Sequence, residues 1–458
     1  MFGKIRRLYF VGIGGAGMSG IAEILFNLGY QISGSDHTPS EVTEYLSGRG
    51  IAVHHDHRAS NLDAADVVVI SSAVGEDNPE VVEARRRGIP VIKRAEMLGE
   101  LMRLKYSIGI AGTHGKTTTT SMIGRILQVA NLKPTIIVGG VVAELGTGAS
   151  LGTGEHLVAE ADEYDRSFLA MFPSLAVVTN LEADHLDCYR DLEDLTGAFL
   201  AYMNRVPFYG QVVISADDPV LSSLQTRIAR PHVTFGFSVD ADYRAVSEKL
   251  EEMGSTFSVY GKGDLLGEIQ LHVPGRHNIL NALAAIATCR ELDVAFEIIA
   301  DALRGFTGVS RRFEFIGKER GITVVDDYAH HPTEIHATLE AANLRKAGRT
   351  LVIFQPHLFS RTRDFLKDFA DSLSIADVAL LVDIYPAREK PIPGVTSEEI
   401  VKIGRKLSRG DFHYLGPKEN AIVRVVEIAK PGDLIITMGA GSVTHIKQAI
   451  LAALKEKG

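Results

Sequence analysis

The stretch that decides the fold is Ile108-Gly109-Ile110-Ala111-Gly112-Thr113-His114-Gly115-Lys116-Thr117-Thr118-Thr119-Thr120, a short apolar run, a glycine turn, and a Gly-Lys-Thr that opens a helical pattern over 118–129. Strand, glycine loop and helix in that order make a phosphate-binding loop. Gly112 and Gly115 let the backbone turn its N–H groups toward an anion, and the helix behind presents its positive end. In that grammar Lys116 reaches the β- and γ-phosphates and the Thr117 hydroxyl ligates Mg²⁺. The general pattern G-x-x-x-x-G-K-[ST] wants glycine where this chain has Ile110, so the first glycine is missing or displaced. An ordinary strand-to-helix turn is the plain alternative, and the Gly-Lys-Thr in its proper context weighs against it.

A chain of 458 residues exceeds what one core usually supports and predicts two or three domains. Hydrophobic content of 45%, charged content of 23% and 44 glycines describe an α/β protein with many tight turns. The net charge of −9 argues against nonspecific nucleic-acid binding, which needs a basic face to release counterions. Two cysteines, Cys188 and Cys289, cannot build a disulfide framework and point to a reducing compartment. No run approaches the roughly 18 apolar residues of a membrane span. The apolar start after Lys4, Arg6 and Arg7 is broken by Gly12, Gly14, Gly15 and Gly17, which reads as a first strand and not a signal peptide, so a cytoplasmic location is expected.

Upstream of the loop, residues 8–12 form a buried-strand run followed by Gly12-Ile13-Gly14-Gly15-Ala16-Gly17 and an apolar helix pattern. A second strand over 31–35 ends on Asp36, where a dinucleotide fold places the acid that holds a ribose hydroxyl. Alone, this argues for NAD. The region closes near Arg94, however, directly before a complete second nucleotide loop, and half a dinucleotide unit can cradle any pyrophosphate. Strands over 67–71 and 90–93 complete a small doubly wound sheet, with Ser71 and Ser72 at a strand end where ligands collect. His54, His55 and His57 lack carboxylate or cysteine spacing and read as solvated loop residues, not metal ligands.

Downstream, a strand over 157–159 ends at Glu160-Ala161-Asp162-Glu163-Tyr164-Asp165, and one or two of these acids suffice for Mg²⁺, which also takes phosphate oxygens and water. The strand over 175–178 leads to Glu182-Ala183-Asp184-His185, where a histidine beside acids at a strand end reads as a ligand or charge stabiliser. Cys188 has no base at a recognisable spacing and reads as a bystander. A further strand over 212–215 and a β-rich insert over 233–273 precede a helix that begins near Asn278. Asn278 or Asn281 caps that helix, or the two amides, sharing one side of it, read a purine edge; both readings stand.

Beyond Arg312 the alternation of strands and helices starts again, with short apolar strands over 322–325, 350–354, 378–382 and 433–437. Their ends carry Asp326-Asp327-Tyr328-Ala329-His330-His331-Pro332, Gln355-Pro356-His357 with Arg361, and Tyr385-Pro386-Ala387-Arg388-Glu389. Arg312 reads as a surface cation or as a linker arginine clamping a γ-phosphate.

Together these segments resemble the Mur ligase family over essentially the whole chain, and the Gly-Thr-x-Gly-Lys-Thr pattern of that family accounts for the missing glycine. The resemblance implies three α/β domains: a Rossmann-like UDP-sugar-binding domain over 1–95, a central P-loop ATPase domain over 96–308, and a Rossmann-like C-terminal domain over 309–458. It implies ATP and Mg²⁺ as cofactors, UDP-N-acetylmuramate and L-alanine as substrates, an acyl-phosphate intermediate, and a monomer or weak homodimer with no nucleic-acid or membrane partner. Gly14, Gly15, Gly17, Asp36, Ser71 and Ser72 would hold the UDP-sugar. Gly112, Thr113, His114, Gly115, Lys116, Thr117, Thr118, Asn278, Asn281, Arg312 and Asp327 would hold ATP, and Thr117, Glu160 and His185 the metal. Lys116, His185, Arg312, His330, His331 and Arg361 would serve catalysis. Family members that add later amino acids use a carbamylated lysine, and this chain has no lysine between Lys133 and Lys249, which fits the alanine-adding branch. Leu358 stands where some members of that branch carry arginine, and Tyr164 where many carry serine. The rival expectations are a relative that joins a preformed tripeptide to the same sugar, and an NAD-dependent oxidoreductase.

Overall fold

The computed structural model describes residues 3–71, 73–138, 149–184, 188–345, 348–387, 389–407 and 409–456. Three sheets carry the chain. The first joins β1 (Arg7–Val11), β2 (Gln31–Ser35), β3 (Ala52–His54), β4 (Val67–Ile70) and β5 (Val91–Lys93) in the order β3-β2-β1-β4-β5, with every pair parallel. All four residues of β4 are buried, as a parallel strand covered on both faces requires. Tyr9, Val11, Val68 and Ile70 pack on Val81 and Ala84 on one side. Leu8 and Phe10, one residue out of phase, face the other.

The second sheet takes β6 (Tyr106–Ala111), β7 (Thr135–Ile137), β8 (Ala149–Ser150), β9 (His156–Glu160), β10 (Leu175–Val178), β11 (Gln211–Ser215), β12 (His232–Gly236), β13 (Tyr243–Glu251), β14 (Gly254–Gly261) and β15 (Asp264–Leu271). Their order is β15-β14-β13-β12-β11-β10-β6-β9-β7-β8. β6 lies between β10 and β9, parallel to both, so the phosphate-loop strand is central and its end is flanked by two others. The third sheet has β16 (Glu314–Glu319), β17 (Ile322–Asp327), β18 (Thr350–Phe354), β19 (Val378–Leu381), β20 (Asp411–Tyr414) and β21 (Leu434–Met438) in the order β16-β17-β21-β18-β19-β20. Only β16 runs antiparallel among its described pairings. Alternate residues divide between two cores: Val325, Val352, Phe354 and Ile436 on one face, Val324, Leu351, Ile353 and Ile435 on the other.

The chain forms two compact units. One comprises Met1–Val246, Ser258–Ile269 and Leu280–Arg304; the other comprises Ser247–Phe257, Gln270–Ile279 and Gly305–Gly458. The first sheet and most of the second thus belong to one unit, with the end of β13, the start of β14 and the end of β15 assigned to the other, and a single apolar cluster runs from Leu8 and Phe10 through Leu98 and Met102 to Phe168, Phe199 and Tyr202. The helix Arg94–Met102 supplies the middle of that cluster. A methyl group on its Gly99 would sit 2.3 Å from the Ala170 carbonyl, so only glycine permits the approach.

Candidate active site

The phosphate loop is shaped by contacts that only glycine tolerates. Gly112 has φ +136°, and a β-carbon there would lie 2.0 Å from Thr179 Oγ1; Gly115 has φ +82°, and a β-carbon would lie 2.3 Å from Asn281 Oδ1. The end of β10 holds the loop from beside. Thr113 N–H donates to the Asn180 carbonyl at 3.2 Å and His114 N–H to Asn180 Oδ1 at 2.8 Å, while Thr179 Oγ1 and Asn180 Nδ2 both donate to the His114 carbonyl. These two backbone donors are therefore engaged by Asn180 instead of facing an anion. The anion-facing donors are the N–H groups at the start of the helix Lys116–Val129, which have no partner inside it.

Lys116 Nζ reaches back over the loop, donating to the Gly112 carbonyl at 2.6 Å and to Glu163 at 2.9 and 2.8 Å. Burial works against its charge, but Glu163, Asp162 and Glu160 outweigh it and hold the ammonium above its ordinary pKa. Thr117 follows on the first helical turn, half-buried, and Thr118 is buried. Glu160 ends β9 in register with Ile110, so it stands at the carboxyl end of the central strands beside the loop. Asn281 accepts from Thr119 Oγ1 at 3.3 Å, against the loop helix. His185, Ser72 and Arg388 lie outside the described residues.

In the first sheet Gly14 N–H donates to Asp36 Oδ2 at 2.9 Å, so the acid at the end of β2 clasps the glycine loop. Gly15 caps the helix Ala16–Asn27. The Ser71 β-carbon approaches Gly12, whose φ is +79°. Arg94, which no motif marks, lies against this loop: a β-carbon on Gly17 would meet its Nη1 at 2.5 Å. Of the three histidines expected to be solvated, His55 is exposed, while the other two are not free loop residues. His54 ends β3, and His57 is nearly buried with Nδ1 2.9 Å from Glu80 Oε2. Glu80 itself is fully buried and accepts from Tyr9, Ser35 and Asn61 as well. A carboxylate 23 positions away fixes this histidine, which spacing within the triplet could not reveal.

The second unit carries the remaining expected residues. Arg312 Nη1 donates to Glu334 Oε1 at 3.3 Å, and its guanidinium lies 5.2 Å from the Tyr328 ring centroid. Glu334 also accepts from His330 N–H at 3.0 Å and pairs with His330 Nδ1 at 3.1 Å. His331 caps the helix Pro332–Ala342, its Nδ1 accepting from Thr333 N–H, and its ring packs edge-on against Phe365. Asp327 accepts from Phe313 N–H and Ala329 N–H, yet burial pushes its carboxyl up to about 6. Asn278 donates to the Pro274 carbonyl at 2.7 Å. Arg361 is buried on the helix Phe359–Asp364, and the His357 ring stacks on Tyr385.

Three family models lie end to end on this framework: "Mur ligase family, catalytic domain" on residues 7–106, "Mur ligase middle domain" on 110–289, and "Mur ligase, glutamate ligase domain" on 311–441. The UDP-N-acetylmuramate–L-alanine ligase of Geobacter sp. (strain M21) is 50% identical over 99% of both chains. The chain belongs to the Mur ligase family. The crystal structure of UDP-N-acetylmuramate-alanine ligase from Thermotoga maritima superposes with a TM-score of 0.83 at 29% identity, covering 99% of this chain and 100% of that one. A murein peptide ligase from Psychrobacter arcticus 273-4 gives 0.72 at 26% identity, covering 98% and 99%. Two departures from the family pattern now have local descriptions. Leu358 sits at φ +70°, a conformation uncommon for leucine, with its N–H donating to the Tyr385 carbonyl. Tyr164 N–H donates to Asp162 Oδ1 at 3.1 Å.

Proposed function

We propose that this chain is an ATP-dependent ligase joining L-alanine to the lactyl carboxylate of UDP-N-acetylmuramate, giving UDP-N-acetylmuramoyl-L-alanine, ADP and phosphate for peptidoglycan synthesis. The observation that carries this reading is the 50% identity over 99% of both chains to a ligase of that name. Residues 1–95 bind the UDP-sugar, through Gly14, Gly15, Gly17, Asp36, Ser71 and Ser72. Residues 96–308 bind ATP, and residues 309–458 admit the amino acid. The enzyme works in the cytoplasm as a monomer or weak homodimer; no helix among the described residues is long and apolar enough to cross a membrane.

The chemistry follows from what a carboxylate lacks. It is a poor acceptor for an amine, so its oxygen first attacks the γ-phosphate, forming an acyl phosphate and releasing ADP. The alanine amine then attacks the acyl carbon, and phosphate leaves from a tetrahedral intermediate. Both steps spread negative charge over oxygens, which Lys116 and Arg312 stabilise as fixed cations. Thr117, Glu160 and His185 would hold magnesium; the Thr117 hydroxyl and the Glu160 carboxylate suit that hard ion, which when bound would neutralise phosphate charge. Asn278 and Asn281 meet the adenine and Asp327 the ribose. Arg361, His330 and His331 serve the amino-acid side and exclude water from the acyl phosphate.

The likeness to a murein peptide ligase supports a second reading, in which a preformed tripeptide replaces alanine. Phosphate release measured with UDP-N-acetylmuramate and ATP separates the two. L-Alanine is expected to drive release far better than L-Ala-γ-D-Glu-meso-diaminopimelate. Greater activity with the tripeptide overturns the substrate assignment, and release that ignores the muramyl nucleotide overturns the reaction.

A further inference from the structure

Glu163 is an acid that the proposed chemistry leaves without a task. Its side chain is 1% exposed, and both carboxylate oxygens accept from Lys116 Nζ, at 2.9 and 2.8 Å. The segment bearing it is anchored independently of the lysine. Tyr189 Oη donates to the Glu163 carbonyl at 2.6 Å, Arg166 N–H donates to the same carbonyl at 3.0 Å, and Phe168 N–H donates to the Asp162 carbonyl at 2.9 Å. Lys116 completes the arrangement by donating to the Gly112 and Thr113 carbonyls, so its ammonium lies folded across the loop at whose mouth a triphosphate would bind.

We propose that Glu163 is a positioning residue that clasps Lys116 across the phosphate loop, so that nucleotide phosphates must displace this carboxylate to win the lysine. The inference rests on the ATP-binding reading of the loop. A flexible ammonium with three donors can pass from carboxylate to phosphate without the loop reshaping, and it can return as ADP departs. The carboxylate keeps the buried ammonium paired when phosphate is gone, and it lowers affinity for any nucleotide that uses Lys116. Nucleotides without β- and γ-phosphates do not enter this exchange.

The test is nucleotide binding by calorimetry on the full chain, using AMP-PNP, ADP and AMP with magnesium. Glu163→Gln keeps the shape but loosens the hold on the lysine, and is expected to bind AMP-PNP and ADP about tenfold more tightly with AMP unchanged. Glu163→Asp retains the negative charge but falls short of Nζ, and is expected to tighten both to a smaller degree. A residue that merely supports the loop would weaken all three ligands on substitution. Unchanged or weaker AMP-PNP binding by Glu163→Gln overturns the proposal. So does tightening in Glu163→Gln alone, which would mark a general field effect and not a clasp. Failure of the parent chain to bind AMP-PNP at all would instead sink the ATP-site reading.

Discussion

His277, half-buried, and Asp327, buried, are titratable groups of opposite type that both feel the ion pair of Arg312 and Glu334. Burial, then the Arg312 charge, lowers His277 from 6.5 to about 4, with Glu334 opposing. Burial raises Asp327 from 3.8 to about 6, against the pull of Arg312 and two backbone donors. For the histidine, the unfolded chain takes up a proton that the fold refuses, so stability is lost as pH falls from 6.5 toward 4. For the aspartate, the fold holds a proton that the unfolded chain releases, so stability is lost as pH rises from 3.8 toward 6. The two slopes oppose each other across the same window. Replacing His277 with Gln should therefore help at pH 4.5 relative to pH 7.5, by about 2 kcal/mol in the stability difference from the parent. Urea unfolding at the two pH values measures this, and an equal difference at both would refute it. Neither partner set was legible in sequence. Lys116 and Asp36 announce themselves through short motifs, whereas Glu163, Glu80 and Glu334 matter because of cations or hydroxyls that the fold brings to them from elsewhere.

At the scale of elements, the apolar runs over 175–178 and 350–354 coincide with β10 and β18, because a strand buried on both faces must be apolar throughout. The unseen strands are the short or polar ones. β3 and β7 have three residues each, and β16 is the half-exposed antiparallel edge Glu-Phe-Ile-Gly-Lys-Glu, whose pattern does not separate it from a loop. Glycine spacing fared better, since it reflects backbone need. Gly112→Ala would combine a left-handed φ of +136° with a β-carbon 2.0 Å from Thr179 Oγ1, forcing the loop off β10. A loss of about 3 kcal/mol in stability and about hundredfold in AMP-PNP affinity is expected. Gly197, within the helix Leu192–Met203, has open space around its β-carbon position. Gly197→Ala should instead stabilise by about 0.5–1 kcal/mol with affinity unchanged. Thermal melts and nucleotide titrations on both variants decide it, and similar losses would remove the steric argument.

At the scale of the molecule, three alternating strand–helix regions are readable from the sequence, but which faces cover one another is not, because hydrophobic periodicity marks a buried face without naming its partner. The structure answers this for the first two sheets. Leu98, Leu101 and Met102 of one helix belong to the same cluster as Phe10 on one side and Phe199 and Tyr202 on the other. Lys93 Nζ pairs with Asp165 at 2.8 Å across the same junction. Opening either sheet would expose part of the apolar surface that supports its neighbour, so the two should unfold as one cooperative block. A ligand that binds only the folded form raises the melting transition of the block that holds it. UDP-N-acetylmuramate on the first glycine loop and AMP-PNP on the phosphate loop should therefore raise one and the same calorimetric transition, each by about 5 °C at a hundred times its Kd. Two transitions, one answering only to the sugar nucleotide and the other only to AMP-PNP, would mean that the shared cluster does not couple the sheets. A single transition raised by both ligands would mean that binding at either loop stabilises the same folded body.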